Sequence, residues 1–226
     1  MKDRKVFICI PHYKDKRLPE CLEAIKRNTT YGNYKIIVAE DLLQKGIAEN
    51  MNQVIKATFP DDIIKLDAHT IVLTGNWIWY LTEFLREHPD AGAISPLYTH
   101  SDGETIAYSP KWVINNRIVN LWKSGKPTET ITEPVEVDIV SGACVYYTRE
   151  VLNKVGGYNM IAGADTDLCL EMRKAGFKIY VIPQVKVWHS VGSYANMTQH
   201  NKWLREGMPG FEKKWQVKWG AINGDI

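Results

Sequence analysis

An aspartate and a histidine follow a buried-looking strand in the stretch IIKLDAHT, residues 63–70. Asp67 and His69 occupy alternate positions, so in an extended chain their side chains lie on the same face. An oxygen donor and a nitrogen donor placed in this way could hold one divalent ion. His189, which follows a later predicted strand, is the best candidate for a third ligand. A structural alternative stays open here, in which Asp67 caps a turn and His69 is a satisfied surface histidine.

A second pair of carboxylates flanks Thr166 in the stretch DTDL, where the pattern predicts the start of a helix. Free backbone N–H groups and the helix dipole stabilise a carboxylate at that place, which explains one aspartate as a cap. Asp165 could instead act as a general base that takes a proton from a substrate hydroxyl. The spacing favours neither function. The helix is predicted over DTDLCLEMRKAG, with an aspartate cap at its start and Gly176 at its end.

Strand and helix patterns alternate along the first part of the chain. The segments are KVFICIP, LPECLEAIKRN, YKIIVAED, GIAENMNQVIKAT and DIIKLDA. This alternation predicts an α/β fold with a mostly parallel sheet that is covered by helices on both faces. A further strand, AGAISP, is predicted to end at Pro96. Residues 97–136 break the alternation, and we expect loops and a β-ribbon there that shape a substrate site.

Ligands of open α/β sheets bind beyond the carboxyl ends of the strands. Polar residues follow the first two predicted strands at that edge, namely residues 12–15 and the pair Glu40 and Asp41. Gly46 begins the next helix, which carries Asn52, but neither a Walker A loop nor a GxGxxG motif is present. Asn52 and the acid pair could therefore contact a ligand or be ordinary exposed polar residues.

The composition sets broad limits on function. A formal charge of +2 over 226 residues, with basic residues scattered among acids, does not suggest nucleic-acid binding. The four cysteines stand in apolar segments without CxxC spacing, which indicates small buried hydrophobes in a reducing compartment. No apolar stretch approaches the roughly 20 residues of a membrane span. We therefore expect a cytoplasmic protein without a transmembrane segment.

In their order and spacing, these segments resemble the family 2 glycosyltransferases of the GT-A fold, from Val6 to about Tyr194. VFICIPHYKD is similar to the family's opening strand and nucleotide-binding loop, IIVAED to its strand ending in a base-contacting acid, and GIAENMNQV to its next helix. IIKLDAHT resembles its strand ending in D-x-D. VDIVSGACVYYTREVLNKVGGYN and ADTDLCLEMRKAGFKIYVIPQVKVWHSVGSY resemble its acceptor-side strands, its E-D-x-D-L-C-L helix and its H-x-x-G-x-S loop.

The resemblance implies a Rossmann-like GT-A domain over residues 1–194. This domain would consist of a nucleotide-binding half (about 1–96) and an acceptor half (about 97–194), which includes a smaller β-ribbon. A Trp-rich tail (195–226) is expected to pack on the site or close over it. It implies a hexosyltransferase-like enzyme that depends on Mn²⁺ or Mg²⁺ and moves a single sugar, with inversion, from a nucleotide-diphosphate sugar to a hydroxyl acceptor of unknown class. A UDP-sugar is slightly favoured as the donor. The implied residues are Asp165 as the base; Asp67, His69 and His189 as metal ligands; Pro11, His12, Tyr13, Asp41, Asn52, Asp67, Ser141 and Gly142 at the nucleotide sugar; and Asp138 and Asp167 at the acceptor.

Three departures from the family pattern keep other functions open. His69 stands where the second aspartate of D-x-D is usual, Ala164 stands where a glutamate is usual, and the stretch from Asp41 to Gly46 is short. The first departure leaves a retaining transferase possible, and the first two together allow a noncatalytic nucleotide-sugar or glycan-binding module. A nucleotidyltransferase ranks last, because the loop after the first strand contains no glycine.

Overall fold

The computed structural model describes residues 4–43, 45–190 and 197–223. Helices and strands alternate in the first part of the chain, as the sequence predicts. The elements there are β1 (Val6–His12), α1 (Leu18–Asn28), β2 (Tyr34–Glu40), α2 (Ile47–Ala57), β3 (Asp62–Leu66), β4 (Thr70–Val72), α3 (Trp77–Glu87) and β5 (Ala91–Thr99).

The second part of the chain begins with short strands and ends with longer elements. These are β6 (Ile106–Tyr108), β7 (Lys111–Ile114), β8 (Arg117–Asn120), β9 (Val135–Val137), β10 (Cys144–Tyr147), α4 (Arg149–Val155), α5 (Ala164–Lys174), β11 (Lys178–His189), α6 (Met197–Trp215) and β12 (Lys218–Asn223). A single 3₁₀ turn covers Thr128–Thr130.

A nine-stranded sheet forms the centre of the molecule, with the order β2-β1-β3-β10-β5-β11-β4, and with β6 beside β5 and β9 beside β11. Its five longest strands run in one direction, because β1 is parallel to β2 and β3, β5 is parallel to β11, and β10 is antiparallel to both β3 and β5. The prediction of an α/β fold with a largely parallel sheet is therefore confirmed.

Hydrophobic cores lie on both faces of this sheet, because successive strand residues point to opposite sides. On β3, Ile63 packs into the core that contains Met51 of α2 and Leu168 of α5. Its neighbour Ile64 packs into the other core, together with Trp77 of α3. The predicted covering of both sheet faces by helices is thus observed. All four cysteines are free and buried, as small hydrophobic side chains in these cores.

Two predicted boundaries were wrong. Strand β5 does not end at Pro96 but continues to Thr99, and its partner β11 shifts register between Ile182 and Lys186 at that level. The irregular pairing accommodates a residue that has no N–H to donate. Helix α5 begins one residue before Asp165, with Gly163 as the N-cap at φ +65° and no side-chain cap. Asp165 is therefore not the cap of this helix.

A second, three-stranded sheet has the order β12-β8-β7. Strands β7 and β8 form the predicted β-ribbon, and both residues of their turn, Asn115 and Asn116, have positive φ, as a tight hairpin requires. The C-terminal segment contributes helix α6 and then β12, which pairs in parallel with β8. Among the described residues, no helix has the length and apolar character needed to cross a membrane.

Candidate metal and transfer site

The ends of β3 and β11 bring together three side chains that could hold a metal. After β3, the chain turns through Asp67 to His69 and enters β4, where the N–H of Thr70 bonds to the carbonyl of Asp67 at 2.9 Å. Strand β4 pairs with the last residues of β11, so that Thr70 lies opposite His189. The pairing of these two short segments brings His189 next to His69.

Asp67, His69 and His189 each offer one ligand atom, and these atoms lie within 4.8 Å of one another. The two imidazole Nε2 atoms are 3.0 Å apart, and Nε2 of His189 is 3.9 Å from Oδ2 of Asp67. One carboxylate oxygen and two imidazole nitrogens form a suitable donor set for a divalent transition metal. The residues present therefore fit the metal that the sequence predicts.

The electrostatics of the cluster keep Asp67 and His189 in the forms that bind metals. Burial opposes the charge on Asp67, but Lys65, His189 and His69 outweigh it and hold the pKa of this carboxyl below its usual value. Burial, with smaller contributions from His69 and Lys65, lowers the pKa of His189 to about 4 against the attraction of Asp67. At neutral pH, Asp67 is thus ionised and the His189 imidazole is neutral, as metal coordination requires.

A buried lysine, which the sequence did not lead us to include in the site, joins this cluster to Asp165. Lys65 lies on β3 with its side chain only 2% exposed, and its ammonium donates to Oδ1 of Asp67 at 2.8 Å and to the carbonyl of Gly142. Oδ1 of Asp165 is 3.9 Å from the same ammonium. A lysine between the isoleucines and leucine of a buried strand was the available signal, because buried charges need partners.

Asp165 is a second carboxylate near Lys65 and lies outside the group of three candidate ligands. Its pKa is raised, chiefly by burial and also by the charge of Asp67, while Lys65 and a hydrogen bond from Tyr158 oppose the shift. The Asp165 side chain is 34% exposed, so a ligand can reach it. A carboxylate with a raised pKa at the rim of a metal site can accept a proton from a bound hydroxyl.

Gly142 lies directly against this carboxylate. A Cβ at position 142 would be 2.0 Å from both Cγ and Oδ1 of Asp165, and 2.2 Å from its Oδ2. The neighbouring Ser141 is fixed by its carbonyl, which accepts from the Tyr98 hydroxyl at 2.7 Å. The Ser141-Gly142 turn thus sets the space around Asp165.

The end of β1 and the loop after it form the other wall of the site and contain three of the predicted nucleotide-binding residues, with Pro11 and His12 in the strand and Tyr13 in the loop. His12 bonds through Nδ1 to Oε1 of Glu40 at 2.8 Å. Asp15, in the same loop, bonds through Oδ2 to Nδ1 of His69 at 2.7 Å. The predicted nucleotide loop and the metal cluster are therefore in direct contact.

Two other residues predicted at the nucleotide have protein partners. The carboxylate of Asp41 accepts from the backbone N–H groups of Lys45 and Gly46, which shapes the short turn into α2. The amide of Asn52 both donates to and accepts from the backbone of Tyr158, each at 2.8 Å. This bond pair fixes Asn52 to the residue that follows the turn at Gly156 and Gly157, and its contact with the nucleotide stays a prediction.

The predicted acceptor residues also bond within the protein. Asp138 accepts from the N–H of Val113 at 2.8 Å and pairs with Arg173 at 3.2 Å. Asp167 has no exposed surface, and its Oδ1 accepts from Lys214 at 2.6 Å and from Trp215 at 2.7 Å in α6. Asp167 therefore links α6 to α5, and its contact with the acceptor stays a prediction. The glycine and serine of the predicted H-x-x-G-x-S loop lie outside the described residues, within 191–196.

Solved structures with this fold include GT-A glycosyltransferases. GalNAc-T7 with UDP, GalNAc and Mn²⁺ aligns with a TM-score of 0.63 at 16% identity, over 82% of this chain and 44% of that one. The mannosyltransferase PcManGT from Pyrobaculum calidifontis, in complex with GDP-Man and Mn²⁺, aligns with a TM-score of 0.60 at 14% identity, over 89% and 60%. S. aureus TarS 1–349 with UDP-GlcNAc also gives 0.60, at 12% identity, over 89% and 65%. This chain thus spans less than two thirds of the length of each of these three proteins.

The sequence gives the family directly. The model of the glycosyltransferase-like family 2 matches residues 3–206, and the chain belongs to this family. A search of curated proteins found no match.

Proposed function

We propose that this chain transfers a single sugar from a nucleotide-diphosphate sugar to an acceptor hydroxyl, with inversion at the anomeric carbon. The observation that carries the proposal is the arrangement of two carboxylates around Lys65. Asp67 turns toward the two histidines, while Asp165 stays outside that cluster but within 3.9 Å of the same ammonium. A metal-binding carboxylate beside a separate basic carboxylate suits a reaction with a diphosphate leaving group and a hydroxyl nucleophile.

In this proposal Asp165 accepts the proton of the acceptor hydroxyl. The hydroxyl oxygen forms the new bond to the anomeric carbon as the bond from that carbon to the diphosphate oxygen breaks, and the nucleoside diphosphate leaves with the bonding electrons. Gly142 leaves room for Asp165, and Lys65 keeps the carboxylate charge compensated. A metal held by Asp67, His69 and His189 would offset the charge of the leaving diphosphate.

The proposed donor is a nucleotide-diphosphate sugar. GalNAc-T7 and TarS are described with UDP or a UDP-sugar and PcManGT with GDP-Man, so the fold accepts more than one base. We keep UDP-sugars as the slightly favoured donors and place them against the loop after β1 and Asp41. The cytoplasmic location stays a prediction.

The donor set favours Mn²⁺ over Mg²⁺, because imidazole nitrogens suit transition metals and Mg²⁺ prefers oxygen ligands. We expect release of nucleoside diphosphate from UDP- or GDP-sugars to reach half its maximum at lower Mn²⁺ than Mg²⁺ concentration, and EDTA to abolish it. Asp67→Ala should lower this release by roughly a hundredfold or more. A noncatalytic binding module would instead bind a nucleotide in a metal-dependent way without turnover across a broad acceptor panel.

Gly142→Ala tests whether the space around Asp165 matters. The new methyl group must displace the carboxylate, because the backbone of the turn is held on both sides. We expect a large loss of turnover with a folded protein and a nearly unchanged nucleotide affinity in thermal-shift titrations. Gly32→Ala is the matched control, since a Cβ there meets no atom within 4 Å. Full turnover in Gly142→Ala would remove Asp165 from the proposed mechanism.

A further inference from the structure

Asp15 forms a buried hydrogen bond with one of the metal-site histidines. Its Oδ2 lies 2.7 Å from Nδ1 of His69, and the two side chains are only 10% and 13% exposed. No role follows for Asp15 from the sequence pattern beyond its place in the loop after β1. The bond joins that loop to the turn after β3, two segments that are 54 residues apart.

The chemistry of this bond determines which nitrogen of His69 is available to a metal. A carboxylate next to Nδ1 accepts the ring proton there, which leaves the lone pair on Nε2. Nε2 is the atom that faces Nε2 of His189 at 3.0 Å inside the cluster. The bond also fixes the plane of the imidazole ring, so that Nε2 of His69 points at His189.

Other bonds fix Asp15 independently of His69. Its Oδ1 accepts from the N–H of Arg17 at 2.9 Å, and its own N–H donates to Nε2 of His12 at 3.1 Å. His12 is held in turn by Glu40 at the end of β2. The loop after β1 thus holds the carboxylate in place before any ligand binds.

We propose that Asp15 is a positioning residue of the metal site, which sets the tautomer and the orientation of His69 from the loop after β1. The proposal rests on the metal site of the proposed function and adds a residue to it. It also means that the loop after β1, which is predicted to bind the nucleotide, supports the metal site. Hydrogen bonds then connect the nucleotide-binding loop to the metal ligands.

Asp15→Asn is the discriminating variant, because it changes one acceptor oxygen into a donor N–H₂ at nearly constant shape. If Oδ1 keeps its bond to Arg17, the new amide donates to Nδ1 of His69 and moves the ring proton onto Nε2. We expect the affinity for Mn²⁺ alone, measured by the loss of the free-ion EPR signal, to fall by about 10–100-fold. The ¹⁵N spectrum of His69 should change from the Nδ1–H to the Nε2–H form.

Asp15→Ala should weaken Mn²⁺ binding as well, and Glu20→Gln is the control for lost charge. Glu20 pairs with Arg17 beside the same loop but touches no ligand histidine, so Mn²⁺ affinity should stay within about twofold. Thermal unfolding checks that each variant is folded. Unchanged Mn²⁺ affinity and an unchanged His69 tautomer in both Asp15 variants would overturn the proposal. Failure of the unaltered protein to bind Mn²⁺, with or without UDP, would instead overturn the metal site itself.

Discussion

Asp165→Asn should lower sugar transfer by roughly 10²–10⁴-fold, the usual contribution of a positioned general base. The amide has the same shape as the carboxylate but cannot accept the proton of the acceptor hydroxyl. Because Asp165 lies outside the group formed by Asp67, His69 and His189, we expect donor affinity and Mn²⁺ affinity to change little. The measurement is initial-rate kinetics with saturating donor and metal, together with thermal-shift titration of the donor.

If Asp165→Asn stays active, the configuration of the product distinguishes the two explanations. The proposed mechanism requires inversion, which NMR of the anomeric proton in the product reports. Full activity in Asp165→Asn together with retained configuration would support the retaining alternative that His69 leaves open. Full activity with inversion would mean that another group acts as the base.

Lys65→Met should change both the stability and the pH dependence of the enzyme. Removing the ammonium leaves the carboxylates of Asp67 and Asp165 close together without their cation. We expect the free energy of unfolding to fall by about 2 kcal/mol, less than for a fully buried pair because Asp67 is 24% exposed. Lys65 also opposes the burial that raises the pKa of Asp165. The base works in its ionised form, so the acid-side inflection of kcat/KM should move to higher pH in the variant.

Lys178→Met provides the matched comparison. It removes the same charge from an ion pair with Asp90 whose partners are both more than 40% exposed. Such a pair contributes little, and we expect a much smaller change in urea unfolding and no movement of the pH profile. If Lys65→Met leaves the acid-side inflection in place, Lys65 has a structural role only and does not tune the base.

Much of the fold could be predicted because local patterns and global packing agree. The apolar runs of β1 and β3 and the amphipathic spacing of α1 and α2 each lie within a residue or two of the predicted segments. The errors have local physical causes. The sequence pattern predicts that β5 ends at Pro96, whereas a register shift in β11 lets the strand continue. The pattern also predicts an aspartate cap for α5, whereas Gly163 is the N-cap, with a positive φ.

The candidate site was predictable where its residues follow strands and not where they pair over long distances. Asp67 and His69 lie in the turn between β3 and β4, and His189 is the last residue of β11, which pairs with β4, so the three side chains come together at one edge of the sheet. The pairing of Lys65 with Gly142 and Asp165, and that of Asp15 with His69, depends on loops whose paths no local pattern determines. The burial of Asp167 beneath Lys214 and Trp215 likewise depends on where α6 packs.

The position of β10 determines how the protein can be divided. This strand is made more than forty residues after β5, yet it lies between β3 and β5 and pairs with both. A fragment that stops near residue 96 would leave the inner edge of β3 open, with Ile63, Ile64 and Leu66 uncovered where they are now fully buried. We therefore expect the part up to residue 96 and the sheet strands that follow it to unfold as one cooperative unit, so that neither part would fold as an independent module.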